Sequence, residues 1–140
     1  MHRLTTFSLV LLAVLAVAAA GCGSSDDDTP TSPPPTPIVD TFTGVLNLNG
    51  AATYSFTVVG TGSITAQISK LDPDLANPVG LSLGTWNGSI CQIVLANDVA
   101  IQGSVVVGAA SAPGQFCVRI YDAAGTVAQP QTYIVDVEHF

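Results

Sequence analysis

Three oxygen-bearing side chains that could bind a cation lie close together in the segment Leu71-Asp-Pro-Asp-Leu-Ala-Asn-Pro. Asp72, Asp74 and Asn77 supply carboxylate and amide oxygens, which are the ligands that calcium prefers. The segment has neither the central Gly nor the distal Glu of an EF-hand loop. Asp and Asn beside Pro are also ordinary turn formers. Two interpretations stay open, a weak calcium site and a plain turn, and the sequence predicts no other cofactor.

Side chains suited to acid–base or nucleophilic catalysis are scarce. His139 is the one histidine outside the N-terminal segment, and it is the penultimate residue. Because terminal residues fray, we do not expect a Ser-His-Asp triad built on it. The sequence has no P-loop, no G-x-G-x-x-G after a strand and no H-E-x-x-H. No motif pairs two carboxylates as a glycosidase requires. We therefore predict that the protein is not an enzyme.

The sole tryptophan, Trp86, lies in Leu83-Gly-Thr-Trp-Asn-Gly-Ser. An exposed indole on a loop could stack on a sugar ring, whereas a loop aromatic folded over the edge of a core would be structural. Solvent exposure beside polar side chains would favour sugar binding. Arg119 is expected on the outer face of its strand, paired with a nearby Asp.

The first 21 residues have the composition of a secretory signal peptide. Arg3 supplies a positive charge, and Phe7 to Ala20 is an almost unbroken apolar run of 14 residues. A membrane-spanning helix needs about 20 residues, so the run has the length of a signal-peptide core that ends in small residues. The sequence therefore predicts export and removal of residues 1–21.

Ala19-Ala20-Gly21-Cys22 resembles the lipobox of bacterial lipoproteins. The resemblance implies cleavage between Gly21 and Cys22 and a diacylglyceryl group on the Cys22 sulfur, since a thiolate is the nucleophile that thioether formation requires. Acylation of the new amino group adds a further chain, and two or more chains give stable anchoring. The alternative is a plain secreted protein with an unmodified Cys22.

The residue after Cys22 indicates the membrane to which a lipoprotein is delivered. In Gram-negative lipoproteins an Asp there often retains the protein in the inner membrane, so by the same resemblance Gly23 favours the outer membrane. In a Gram-positive host the anchor would be the plasma membrane. In either case we expect a protein of the cell envelope, with the membrane as partner through its lipid.

Residues 22–37 are predicted to be a disordered tether. Gly23 to Pro37 contains five prolines and no large apolar residue, so it cannot bury enough surface to offset its ordering entropy. Proline-rich segments extend by about 3.1 Å per residue, so these 15 residues span up to roughly 45 Å. Asp26, Asp27 and Asp28 are interpreted as a solvated spacer.

Residues 38–140 have a hydrophobic period of two, which is typical of β-strands. We predict eight strands: Thr41–Asn47, Thr53–Val59, Ser63–Ser69, Val79–Leu83, Cys91–Ala96, Ala100–Val107, Gly114–Asp122 and Gln131–Glu138. The alternation assigns four sets of side chains to the core, namely Tyr54/Phe56/Val58, Ile64/Ala66/Ile68, Phe116/Val118/Ile120 and Tyr133/Val135/Val137. The expected fold is all-β, an antiparallel β-sandwich or jelly roll.

Several of these strands resemble a known domain. Gly44-Val-Leu-Asn-Leu, Tyr54-Ser-Phe-Thr-Val, Ser63-Ile-Thr-Ala-Gln-Ile, Gly114-Gln-Phe-Cys-Val-Arg-Ile-Tyr-Asp and Thr132-Tyr-Ile-Val-Asp-Val look like strands of bacterial pre-peptidase C-terminal domains. The resemblance covers residues 41 to 138. It implies a jelly-roll-like sandwich with a role in secretion or in binding polymers and carbohydrate, and some members bind calcium.

With Cys22 assigned to lipid, Cys91 and Cys117 remain. An even pair in an exported domain indicates a disulfide, and two buried free thiols are the alternative. Strand alternation places Cys117 on the outer face and Cys91 in phase with Ile93 and Leu95, so a bridge requires a strand end or bulge at Cys91. Zinc binding is not expected, because zinc requires four ligands.

The net charge of the chain limits the classes of partner that it is expected to bind. The chain of 140 residues has a net charge of -7, and residues 38–140 hold seven acidic and two basic residues, a net charge of -5. Nucleic-acid binding requires clustered Lys and Arg and is not expected. The leading hypothesis is a lipid-anchored, non-catalytic envelope domain with a structural or accessory binding role for an envelope protein. The alternative is a surface-displayed module that binds carbohydrate or another polymer, and an undetected hydrolase is the third hypothesis.

Overall fold

The computed structural model describes residues 35–140. The predicted signal peptide, the lipidation site at Cys22 and most of the tether therefore lie outside the described residues. Within the described part of the chain, each of the eight strands pairs with another strand between residues 38 and 140. Among the described residues, no helix is long and apolar enough to cross a membrane.

Eight strands were predicted, and the eight strands of the structure follow them closely. They are β1 (Ile38–Leu46), β2 (Ala51–Val58), β3 (Gly62–Asp72), β4 (Val79–Trp86), β5 (Cys91–Ala100), β6 (Val105–Ala110), β7 (Gly114–Tyr121) and β8 (Gln131–His139). The predicted start of the sixth strand, at Ala100, was wrong, because β6 begins at Val105. A turn occupies residues 101–104, where the Ser104 amide donates to the Ile101 carbonyl and Gly103 has a φ of +87°. Ala100 therefore ends β5.

The strands form two four-stranded antiparallel sheets, with the orders β1-β8-β3-β6 and β2-β7-β4-β5. Successive strands alternate between the sheets except at the β4–β5 hairpin. This order is that of a jelly roll, in which two Greek keys wrap two sheets around one core. The predicted fold class is confirmed.

Ile38 of β1 and His139 of β8 pair at one end of the sandwich. We call this end the terminal end, and we call the opposite end of the sandwich the distal end.

The core lies between the sheets and uses the side chains that strand alternation predicts. The predicted sets of β3 and β8 are fully buried, and Phe56, Val58, Val118 and Ile120 are buried in the second sheet. Tyr54 and Phe116 are half-buried at the margin of this core. Because neighbouring residues of a strand point to opposite faces, most of the alternating Ser and Thr residues lie outside, whereas Gln131, in phase with the core residues of β8, is buried.

The C-terminal residues are ordered, which corrects the expectation that His139 frays. His139 is 1% exposed and stacks on Phe56, with 5.2 Å between ring centroids. The carbonyl of Phe140 accepts hydrogen bonds from the amides of Val59 and Gly60, at 3.0 and 3.1 Å. These backbone bonds and the continuation of β8 to His139 hold the end of the chain against the sandwich.

Candidate functional site

The outer face of the second sheet is built around small residues on β4. Gly80, Ser82 and Gly84 alternate on this face and pair with Tyr121, Arg119 and Cys117 of β7. The Tyr121 ring lies directly on Gly80, where any Cβ would overlap it. The small residues thus create space that larger groups from β7 and β5 fill.

The disulfide between Cys91 and Cys117 is present, as predicted. Their Cα atoms are 5.7 Å apart, and the bond joins β5 to β7, the two strands that flank β4. Cys91 is the first residue of β5, and the β4–β5 register shifts between Leu83 and Gly84, so the required strand end and irregularity are both found. A Cβ at Gly84 would overlap the Gln92 carbonyl. Close approach of β5 to β4 at this point therefore depends on glycine.

Trp86 ends β4 and pairs with Cys91, so it lies on a strand and not in a loop. The indole is half-buried and lines a shallow groove of about 300 Å³ on the outer face. The other groove residues are Ala51, Thr53, Ser89, Ile90, Cys91 and Arg119. The groove therefore combines an aromatic side chain with hydroxyl donors and a cation. These are the groups that recognise sugars and other polar polymers.

The expected ion pair of Arg119 with an Asp is not formed. Its guanidinium lies 5.0 Å from the centroid of the Tyr121 ring, a cation–π arrangement. Asp98 instead accepts a hydrogen bond from the Tyr121 hydroxyl. Desolvation, this hydrogen bond and the Asp98 charge raise the pKa of Tyr121 to about 12. Within residues 35–140, Arg119 makes no ion pair with a carboxylate, so its charge is available to the groove.

His139 is placed with an acidic partner but without a nucleophile. Its Nε2 lies 3.0 Å from Asp40 Oδ2, and its buried Nδ1 has no hydrogen-bond partner among the described residues. Within residues 35–140, no serine hydroxyl is hydrogen-bonded to the imidazole of His139 or to the carboxylate of Asp40. The pair joins the last strand to the first, which is a structural arrangement.

Sequence reasoning overlooked that residues 80–84, Gly-Leu-Ser-Leu-Gly, match the pattern G-x-S-x-G. In a nucleophile elbow that serine is exposed at a strand-to-helix turn. Ser82 is 0% exposed in the middle of β4, and its hydroxyl donates to the Arg119 carbonyl at 3.5 Å. The small residues of this pattern are explained by the Tyr121 ring and the disulfide that cover them.

The segment predicted as a calcium site joins β3 to β4 at the distal end. Asp72 ends β3, and Asp74 Oδ1 accepts a hydrogen bond from the Ala76 amide at 3.0 Å. The Asp74 amide donates to Gln131 Oε1 at 3.2 Å, and the Asn77 amide donates to the Asp74 carbonyl at 3.4 Å. Within residues 35–140 there is no group of three or more His, Cys, Asp or Glu side chains that could hold a metal. Calcium binding stays a prediction, and a calcium titration followed by Tm tests it.

An apolar cleft of about 270 Å³ was not predicted. It opens between the sheets beside β5 and β6 and is lined by Ile64, Leu83, Gly84, Thr85, Val94, Leu95, Gly108, Ala109, Ser111, Ala112 and Phe116. Its formation depends on which strands become neighbours across the sandwich. Local periodicity carries no signal for that arrangement.

Comparison with known proteins shows no relationship from which a function could be transferred. No family model matches this chain. No curated protein matches it either.

Proposed function

We propose that the protein is a lipid-anchored β-sandwich of the extracytoplasmic cell envelope, with a non-catalytic structural or binding role. The observation that carries this proposal is the disulfide between Cys91 and Cys117. Disulfides persist in oxidising compartments outside the cytosol. The lipobox-like sequence at residues 19–22 and the apolar run before it supply the route of export and the anchor.

The anchor is tested by expressing the full chain and Cys22→Ala in a bacterium with a lipoprotein pathway. We expect the full chain in the membrane fraction, with an N-terminal peptide that begins at Cys22 and carries the mass of three acyl chains and glycerol. The Cys22→Ala chain is expected in the membrane-free fraction or with an uncleaved signal. An unmodified Cys22 in the mature protein would reject the anchor.

A second function, binding of a carbohydrate or other polymer, is favoured by the position of Trp86. Its half-buried indole is fixed at the end of β4 and faces the same groove as Arg119 and Thr53. Aromatic rings bound to a rigid strand lose little side-chain entropy when a sugar ring stacks on them. The resemblance of residues 41–138 to pre-peptidase C-terminal domains points to the same class of ligand.

Polymer binding is tested by affinity electrophoresis of residues 23–140 in gels that contain cell-wall or capsular polysaccharides. We expect retardation that is lost in Trp86→Ala and reduced in Arg119→Gln. The control is Leu75→Ala, which truncates an exposed side chain that is not among the residues lining the groove. Equal retardation of Trp86→Ala and Leu75→Ala would reject the groove as the binding site.

A further inference from the structure

One side of the sandwich exposes aliphatic side chains along two edge strands. Among the strands of residues 35–140, β5 ends the second sheet and pairs only with β4, and β6 ends the first sheet and pairs only with β3. Six aliphatic side chains on these strands are 38 to 74% exposed: Ile93, Val94, Leu95, Val99, Val105 and Val107. We name β5 and β6 together the aliphatic edge. The apolar cleft opens into it, since Val94 and Leu95 line both.

The opposite side of the molecule, formed by β1 and β2, has a different surface. Hydroxyl side chains alternate along the middle of both strands there: Thr41, Thr43, Thr53, Ser55 and Thr57 are all exposed. β1 also exposes Ile38, Val39 and Val45, at 45 to 55%, near its two ends. The two sides therefore differ in the number of aliphatic side chains that their strands expose, three on β1 and β2 against six on β5 and β6.

β5 lacks most of the charged and proline residues that keep edge strands apart, although its pairing with β4 has two irregularities, between Val79 and Leu81 and between Leu83 and Gly84, which leave its aliphatic side chains exposed. It is ten residues long, it contains no Pro, Lys, Arg or Glu, and its one charged side chain is Asp98 near its C-terminal end. Its outward backbone N–H and C=O groups have no partner strand among the described residues. Natural proteins protect such edges with charge, Pro, bulges or a covering element, because an exposed apolar edge pairs with other chains. A partner that covers β5 is therefore expected.

We propose that this partner is a second copy of the chain, whose β5 pairs antiparallel with β5 around a two-fold axis. In such an interface the same surface meets itself, so an uncharged strand is complementary to its own copy. An axis near Val94 or Leu95 places the two Asp98 side chains on opposite sides of it, far from each other. A parallel pairing in register would set these like charges side by side.

The chain's own N-terminal segment is a poor cover for the aliphatic edge. After the expected processing, residues 22–34 precede the described part, and apart from Cys22 they are Gly, Ser, Asp, Thr and Pro. The area of the edge fits a second copy better. From their exposed fractions, the six aliphatic residues of the edge present on the order of 500 Å² of accessible surface, against the ~800 Å² that a stable interface buries on each partner, and Ile90 and Ile101, 64 and 41% exposed, flank them.

The oligomeric state tests the proposal directly. Residues 23–140 include all eight strands that the structure describes and are suitable for sedimentation equilibrium over about 1 to 300 µM. We expect the average mass to rise from one chain to two with concentration. A single-chain mass over the whole range would overturn the proposal and leave a different protein as the partner of this edge.

Substitution of a charged residue on β5 tests whether this strand forms the dimer interface. Val94→Lys puts two like charges in a two-fold interface, so we expect the dimer to weaken at least about 30-fold. The matched control is Val45→Lys on β1, where the replaced valine is 55% exposed against 69% for Val94. We expect this control to dimerise like the unsubstituted chain. Equal dimerisation of both variants would overturn the proposal, and unchanged Tm values show that both are folded.

Hydrogen–deuterium exchange distinguishes strand pairing from a contact of side chains alone. In the dimer the outward amides of β5 gain carbonyl partners, so their exchange should slow by at least about tenfold at high concentration. The amides of β1, the edge of the first sheet on the opposite side, should exchange at the same rate at both concentrations. A dimer in which β5 amides stay unprotected would reject strand pairing.

Discussion

At the level of single residues, Asp122 joins two turns at the distal end. Its Oδ2 accepts hydrogen bonds from the amides of Asn49 and Val127 at 3.0 and 3.3 Å, and its Oδ1 accepts one from Thr126 at 3.0 Å. Desolvation raises the pKa of Asp122, but backbone hydrogen bonds from these three residues and Gly125 outweigh it, and the pKa is lowered. The ionised carboxylate is therefore part of the folded structure.

Asp122→Asn is expected to destabilise the domain in a pH-dependent manner. The depressed folded-state pKa contributes stability that is present above the unfolded value of 3.8 and is lost as pH falls through the folded value. We expect a loss of about 1 kcal/mol at pH 7, measured by urea unfolding, because solvent around the partly exposed carboxylate screens its hydrogen bonds. Below pH 3.8 the difference from the unsubstituted chain should shrink, since Asp122 itself becomes protonated.

Asp72→Asn provides a control, because its carboxylate accepts no hydrogen bond within residues 35–140. It should leave stability nearly unchanged at both pH values. A difference for Asp122→Asn that is as large at pH 2.5 as at pH 7 would show that hydrogen-bond geometry, and not ionisation, is responsible.

Gly84 is a second residue whose role is defined by its surroundings. Gly84→Ala introduces a Cβ that overlaps the Gln92 carbonyl, so β5 must move away from β4. We expect a loss of about 1–3 kcal/mol in the free energy of unfolding, as for other overpacked sites. Gly114→Ala is the matched control, since its Cβ would lie 3.6 Å from the nearest atom, an ordinary contact. Equal stability of the two variants would contradict the close approach at Gly84.

At the level of elements, β4 organises the second sheet. It lies between β7 and β5, its inner face carries the buried Leu81 and Leu83, and its outer face carries Gly80, Ser82 and Gly84. The disulfide joins its two neighbours over Gly84. The edge strand β5 is thereby attached at its first residue to the interior strand β7, as well as paired with β4.

Loss of the disulfide is expected to lower stability by about 3.5 kcal/mol, the chain-entropy value for a separation of 26 residues. The measurement is urea unfolding of residues 23–140 in the presence and absence of reductant. In the double variant Cys91→Ala/Cys117→Ala, reductant should have no effect. The unsubstituted protein should lose stability in reductant and gain the mass of two hydrogens. If reductant changed neither its stability nor its mass, the disulfide would be contradicted.

At the level of the whole molecule, the first and last strands are neighbours in one sheet. β1 pairs with β8 along its full length, and His139 contacts Asp40 where β1 begins. The carbonyl of Phe140 also accepts hydrogen bonds from the β2–β3 connection. The fold is therefore completed only when the C-terminal residues are in place.

A chain that ends at Glu138 is expected to unfold at a temperature lower by about 8 °C or more. Removal of the buried His139 and of the Phe140 carbonyl costs about 2 kcal/mol or more, and 1 kcal/mol corresponds to several degrees in a domain of this size. Calorimetry provides the measurement. Glu138→Ala, a change at the exposed preceding residue, should leave Tm within a degree or two, and a truncated chain with the same Tm would contradict the role of the C-terminus.

The sequence by itself determined the number of strands, the buried faces of β2, β3, β7 and β8, and the pair of cysteines that join. The strands and their faces follow from period-two alternation, which is readable over short segments of chain, and the disulfide follows from the two cysteines that remain once Cys22 is assigned to lipid. The sequence drew attention to Trp86 as a stacking residue, which stays a prediction, but the strand position of Trp86, the missing ion pair of Arg119 and the groove that both residues line were not predicted.

Only the tertiary structure decided which strands lie at the edges and what covers each face. The order β2-β7-β4-β5 brings together residues far apart in sequence, so local patterns could not show that Gly80 and Gly84 lie beneath Tyr121 and the disulfide. The same long-range pairing buries His139, which a rule about chain ends expected to fray. It also leaves the apolar residues of β5 uncovered, because burial depends on neighbouring strands and not on the hydrophobicity of the strand itself.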